Sequence, residues 1–320
     1  MKQRELVPID DAAYVGRGQN SSQIHLPLSY VNARKISSDG YQNRLKTADT
    51  LFSWRPFHAM IFSAMRRRVE RISTGIVDSI KNWEGVDCIL LAETPKSDDF
   101  DPYFFISLDV YYRGRLPDLE ERQRQFLNAG AFESSSVAAK DRFVVEEIPV
   151  RVEYKDMSRV DEILQRTKEN MWVFRQTGTY MFYRLETGKV LHTKSDWIET
   201  IRGDLKALPD TFWTLMVNSS RATMEHYLSD LVTAVMREDN LYYLISAAGF
   251  IKSFLSLLFV VNRRFEPSGR KLYEVVWKLK EYPENFKGRF ESFLRESPEL
   301  PPTRKMELAE LMARSILPMC

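Results

Sequence analysis

The sequence predicts an α+β protein, a small mixed-sheet domain followed by an all-α helical bundle. Helix and strand periodicities alternate over residues 56–170, in the order helix, strand, strand, helix, strand, helix. Beyond about residue 195 the pattern is helical almost to the end, broken at Pro209, Asp239/Asn240, Pro267/Ser268 and residues 298–302. At 320 residues the chain also exceeds the size at which a single core stops growing, so more than one domain is expected.

In chain order, residues 1–55 are polar and punctuated by Gly16, Gly18 and Gly40, and read as an N-terminal arm. From Pro56 to Trp83 apolar residues recur every three or four positions (Phe57, Ile61, Met65, Val69, Ile72, Ile76, Ile80), the mark of an amphipathic helix. Gly85 then leads into an apolar strand, residues 86–92. A second strand, 103–112, puts Phe104, Ile106, Leu108 and Val110 on one face and Asp101, Tyr103, Phe105, Ser107 and Asp109 on the other. The first face is core and the second borders a cleft. A charged helix is expected over 116–128, strands over 143–147 and 148–154 joined around Pro149, and a helix over 157–168. The domain on residues 56–172 ends there. The helical domain, 173–320, is expected to open with a β-hairpin at about 180–192, turning at Thr187 and Gly188. Helices then follow over 195–208, 212–237, 241–262, 269–281, 283–295 and 303–316.

Composition excludes several functions. Forty-six basic residues against forty-four acidic ones leave a net charge of +2, which argues against nucleic acid as a partner. Cys88 and Cys320 cannot form a disulfide framework or a cysteine zinc site, and the four histidines show no ligand spacing. Residues 1–11 mix charges of both signs without an apolar segment, so a cytoplasmic protein is expected. Residues 241–261 reach bilayer length, but a central Lys252 and Ser246, Ser253 and Ser256 make this a buried bundle helix.

The chemistry-bearing segment is the turn between the first two strands. Asp98, Asp99 and Asp101 crowd the mouth of the second strand. In an extended chain Asp99 and Asp101 point to one face, about 7 Å apart, within reach of shared Mg²⁺. Mg²⁺ takes one or two protein carboxylates and completes its octahedron with water and substrate phosphates, so the pair points to phosphate chemistry.

This order of parts resembles the nucleotidyltransferase superfamily in its minimal and aminoglycoside-type forms. The second half is similar to an uncharacterised branch carrying the domain of unknown function DUF4037. The residues that carry this are FYRLETGKVLHTKSDWIETIRGDLKALPDTFW, from Phe182, and AAGFIKSFLSLLFVVNRRFEPSGRKLYEVVWKLKEYP, from Ala247. The likeness covers roughly residues 60–297 and is more specific in its second half.

The resemblance implies a two-metal Mg²⁺ site, with ATP or another nucleoside triphosphate as substrate. Asp99 and Asp101 stand where the family's metal-binding aspartate pair stands, and Glu153 where the third carboxylate orients or deprotonates the acceptor hydroxyl. Asp109 competes for these roles in an alternative register, with Ser107 in the first aspartate's place. Where the family has Gly-Ser to grip the triphosphate, this chain has Glu93-Thr94-Pro95-Lys96. Glycine there lets backbone amides approach phosphate; Glu93 adds negative charge and Pro95 removes a donor. Thr94, Lys96 and Ser97 remain as phosphate-contact candidates, joined by Arg264 and Arg270 in the turn NRRFEPSGRK. Arg263, Lys271, Tyr273 and Trp277 lie near them in sequence, although cations there also suit a helix C-terminus.

Three functions are therefore expected in order. The first is transfer of a nucleoside monophosphate, expected to be AMP, to a hydroxyl on a small molecule or protein. The second is a catalytically degenerate nucleotide-sensing or partner-binding module, favoured by the missing Gly-Ser pair. The third is a ribonuclease-like helical domain using Arg221 and His226, five residues apart, in a homodimer groove.

Overall fold

The computed structural model describes residues 55–93, 105–126, 129–135, 139–167, 169 and 171–320. The chain divides between His58 and Ala59, and the fold below is that of Ala59–Cys320. Helix α1 (Arg55–Ile80) leads to β1 (Val86–Glu93) and β2 (Ile106–Tyr112). Next come α2 (Leu119–Gln125), β3 (Gly130–Ser135), β4 (Lys140–Val145), β5 (Ile148–Asp156) and α3 (Met157–Gln165). Then follow α4 (Met171–Thr177), α5 (Tyr180–Thr187), β6 (Lys189–Thr193) and α6 (Trp197–Lys206). The chain closes with α7 (Asp210–Met236), α8 (Asn240–Val261), α9 (Leu272–Val276), α10 (Phe286–Leu294) and α11 (Pro302–Ile316). The α+β class, a mixed sheet with a helical C-terminal region, is the one the sequence predicts.

The strands form one six-stranded sheet in the order β3-β4-β5-β2-β1-β6. The β2–β5 pair is parallel, and β1–β2, β1–β6, β3–β4 and β4–β5 are antiparallel. Strand alternation gives each face its own core. On one side Ile89, Leu91, Ile106, Leu108, Val110, Val150 and Val152 pack with Val69, Ile72, Ile76 and Ile80 of α1. On the other Cys88, Leu90 and Tyr111 meet Val160 of α3, Phe182 and Leu185 of α5, Ile198 and Ile201 of α6, and Phe212 of α7. A third cluster joins the later part of α7 to α8, α10 and α11. In α8 the apolar residues Phe250, Phe254, Leu257 and Leu258 are completely buried in it, as a bundle helix requires.

Four expectations need correction. Residues 180–192 are not a hairpin: 180–187 are helical and only 189–193 form a strand, which pairs with β1. Aromatic and β-prone residues suggest a strand there, but tertiary contacts decide it. Phe182 and Leu185, three apart, enter the core. Arg202 of α6 donates to the end carbonyls of α5, 3.1 Å to Leu185 O and 2.6 Å to Gly188 O. The β4–β5 turn is Glu146-Glu147, both at positive φ (48° and 65°), and Pro149 lies inside β5. Strand β3 is unanticipated, since its residues GAFESS are largely exposed and carry no apolar alternation. Finally, the expected helix over 269–281 is reduced to Leu272–Val276.

Gly188 marks where α5 must turn into β6. A Cβ there would stand 2.6 Å from Arg184 O and 3.2 Å from a Leu90 methyl. We predict that Gly188→Ala costs about 1–3 kcal/mol through overpacking, measured by urea unfolding; unchanged stability would show that this turn is slack.

Candidate functional site

The parallel register of β2 on β5 sets Ser107 beside Arg151, Asp109 beside Glu153 and Tyr111 beside Lys155. β4 adds Lys140 opposite Glu153. A slip of one residue would push these charges into the core under α1, so the apolar face fixes the register. Two carboxylates from separate strands, Asp109 and Glu153, thus lie side by side.

What stands between them is Arg184. On α5 it follows Phe182 and precedes Leu185, so the packing that buries those two also presses the guanidinium onto the sheet. Its Nε donates to Asp109 Oδ2 at 2.7 Å, and Nη2 donates to Asp109 Oδ1 and, at 3.1 Å, to Ser107 Oγ. Nη1 reaches Glu153 Oε2 at 3.3 Å. The Asp109 side chain is fully buried and that of Arg184 is 3% exposed. Lys155 Nζ lies 2.9 Å from Asp109 Oδ1 and 3.7 Å from Glu153 Oε2. The remaining oxygen of Glu153, Oε1, faces Lys140 Nζ at 3.3 Å and Arg151 Nε at 3.1 Å, the latter an ion pair without hydrogen-bond alignment. Arg151 Nη2 also donates to Ser107 Oγ at 3.2 Å. Its guanidinium lies over the Phe105 ring at 4.5 Å, as does that of Arg270 at 5.2 Å.

Two carboxylates therefore sit among four cations. Burial alone would raise the Glu153 pKa, but Arg184, Lys155, Arg151 and Lys140 outweigh it and hold the carboxyl below its usual range. Burial pulls the Arg184 pKa down, and Asp109 and Glu153 more than restore it, so the guanidinium is charged at any working pH. For Lys155 burial dominates and lowers the pKa despite Asp109 and Glu153. Burial also raises the phenol of Tyr111, whose hydroxyl is buried with no hydrogen-bond partner among the described residues.

Asp109 and Glu153 do not fit Mg²⁺ in this arrangement. Each of their four oxygens already faces a cationic nitrogen, and a metal needing oxygen contacts of about 2.0–2.1 Å would have to evict Arg184 or Lys155. It would then enter a cluster with surplus positive charge. Asp99 and Asp101, with Asp98, Thr94, Lys96 and Ser97, lie outside the described residues. Among the described residues no three His, Cys, Asp or Glu side chains gather as a metal site.

The other candidates are dispersed. Arg270 joins the cluster through Phe105, whereas Arg264 is exposed in the turn after α8 and Arg263 pairs with Asp210 at 2.8 Å. Trp277 packs on Phe286 and Phe290, at ring distances of 5.6 and 5.9 Å, and is structural. Arg221 and His226 are both exposed, each turned to a carboxylate one helical turn on, Glu225 at 2.8 Å and Asp230 at 3.4 Å. Sequence reasoning missed Arg184, Lys155 and Lys140. A single arginine inside the aromatic run YMFYRLET was the available signal.

Fold and site together define a mixed-sheet α+β protein whose paired strand carboxylates are neutralised from within. Residues 174–272 match the family model described as Domain of unknown function (DUF4037). No curated protein matches the sequence at a significant level. A solved structure described as a nucleotidyltransferase-like protein, from Exiguobacterium sibiricum 255-15, is 12% identical with a TM-score of 0.38. That likeness covers 74% of this chain and 71% of the other, and at this score it assigns neither activity nor ligand.

Removing the guanidinium leaves Asp109 buried without its bidentate partner. Arg184→Met is expected to cost about 3–5 kcal/mol in urea unfolding, and a loss under 1 kcal/mol, the scale of an exposed pair, would contradict the burial of this contact. The lowered Glu153 pKa also has a signed consequence. The folded state binds fewer protons than the unfolded one as pH falls from 4.5 toward the folded pKa. The stabilisation is thus complete above the unfolded pKa and lost as pH drops through the folded one. Glu153→Gln should flatten this part of the stability profile, and an unchanged acid limb would show that other groups set it.

Proposed function

We propose that this chain is a nucleotidyltransferase-like protein that binds the phosphates of a nucleotide directly, through side-chain cations, and does not perform two-metal transfer. The observation that supports this is Arg184 seated across Asp109 and Glu153, with Lys155, Lys140 and Arg151 around them. A two-metal enzyme needs those carboxylates free to neutralise incoming cations. Here the neutralisation is built in, and the surplus positive charge suits a polyanion instead. Lys140 and Arg151 keep 22% and 23% of their side chains exposed, enough for a phosphate oxygen to reach them. Arg270, over Phe105, extends the basic surface. Glu93-Thr94-Pro95 in place of a glycine phosphate loop points the same way, since this protein would hold phosphate by side chains more than by backbone amides. The nucleotide-sensing role is thus preferred over transfer of AMP to a hydroxyl acceptor.

Calorimetry with ATP tests this reading. Binding is expected in EDTA, weakened by salt and weakened about tenfold or more in Arg151→Ala, the loss of a charged hydrogen bond. Pyrophosphate release should be absent with magnesium present. Binding that requires Mg²⁺ and is followed by pyrophosphate release would overturn the proposal in favour of transfer, with Asp99 and Asp101 as the metal ligands. Absence of ATP binding under either condition would overturn it as well.

A further inference from the structure

A cavity of about 690 Å³ lies among α4, α5, α7, α8 and the segment 266–269, a volume within the range of small-molecule sites. Its walls are unusual in chemistry. Thr177, Thr223 and Ser253 spend their hydroxyl protons on helix carbonyls one turn back, at 2.9, 3.0 and 2.8 Å. Each therefore offers lone pairs to the cavity and no donor. The Glu266 carboxyl is the cavity's acidic group; Ser256 donates to its Oε2 at 2.6 Å, and no ion pair is formed to it among the described residues. Ser268 Oγ is buried at the same wall without a hydrogen-bond partner. The Tyr227 ring lies directly on Gly249, where a Cβ would stand 2.3 Å from two ring atoms, so glycine there gives the cavity an aromatic surface. Lys252, exposed at the mouth, is the cation nearest to hand.

We propose that this cavity binds an organic ammonium ion, with Glu266 as counter-charge, the hydroxyl oxygens as acceptors and Tyr227 as the aromatic wall. The Glu266 carboxyl and the lone pairs of Thr177, Thr223 and Ser253 suit a ligand that brings N–H donors, and an aromatic face adds attraction for a cation and none for an anion. Burial raises the Glu266 pKa, and the Ser256 hydrogen bond and the charge of Lys252 offset this only in part, so the carboxyl gains from a cation delivered to it. Lys252 is a rival for the same oxygen atoms. Its presence on the rim in place of a closed ion pair leaves room for a diffusible ligand. The inference does not rest on the phosphate reading, and the two places meet at Tyr180, whose ring lies 5.4 Å from the Arg184 guanidinium carbon.

The test is calorimetry of the full chain with spermidine and putrescine, and with butanediol as the uncharged analogue of putrescine. Saturable binding of the amines is expected, weakened about tenfold or more by Glu266→Gln, with no binding of the diol. Ser220→Tyr, which fills the cavity from α7, should abolish it and serves if the first variant is unfolded. No amine binding by the wild type, equal binding of the diol, or binding indifferent to folded forms of these variants would overturn the proposal.

Discussion

Asp109 is fully buried in the middle of the sheet, and a carboxylate there is tolerable only with a cation in contact. Arg184 meets that need, and much of the fold is arranged to deliver it. The guanidinium comes from 75 residues further along the chain. It arrives because α5 lays Phe182 and Leu185 into the same cluster as Leu90 and Tyr111. Gly188 then lets the chain enter β6 against β1, while Arg202 closes the end of α5. Electrostatics and packing therefore require each other. The ion pair is acceptable because its surroundings exclude water, and those surroundings hold together partly because the pair is satisfied.

A second buried carboxylate follows the same rule for a different purpose. Asp141, on β4, accepts from Arg122 at 2.9 Å, Ser134 at 2.6 Å and the Tyr154 hydroxyl at 2.7 Å. Its partners come from α2, β3 and β5, so it ties α2 to the strands at that end of the sheet. Compared with the Asp109 cluster it has one cation and no surplus charge, which is the composition of a structural network. The contrast gives the Asp109 cluster its meaning, because four cations exceed what two carboxylates need.

Much of this was legible in the sequence. Alternation in β2 identified an apolar face and a face carrying Asp109, whereas the parallel pairing that makes Glu153 its neighbour is visible only in the fold. The long helices followed from periodicity, and their breaks from proline or, at Asp239/Asn240, from turn residues. What was not legible shares a cause. Whether 180–187 is helix or strand depends on Arg202 and on the core beneath it, neither of which lies in the local sequence. Edge strand β3 forms by pairing with β4 and has no apolar signature of its own. Non-glycine residues at positive φ, Glu146 and Glu147, give no turn signal. Arg184 as partner of Asp109 is a contact across the whole sheet domain, and no spacing rule reaches that far.

The central claim is that cations belonging to the chain itself fill the space between Asp109 and Glu153. The most direct measurement is a carbon NMR titration of the Glu153 side-chain carboxyl, with and without magnesium. The account predicts a pKa below the ordinary 4.5, unmoved by the metal. A titration at or above that value which falls when magnesium is added would show free carboxylates awaiting a divalent ion, and would contradict it.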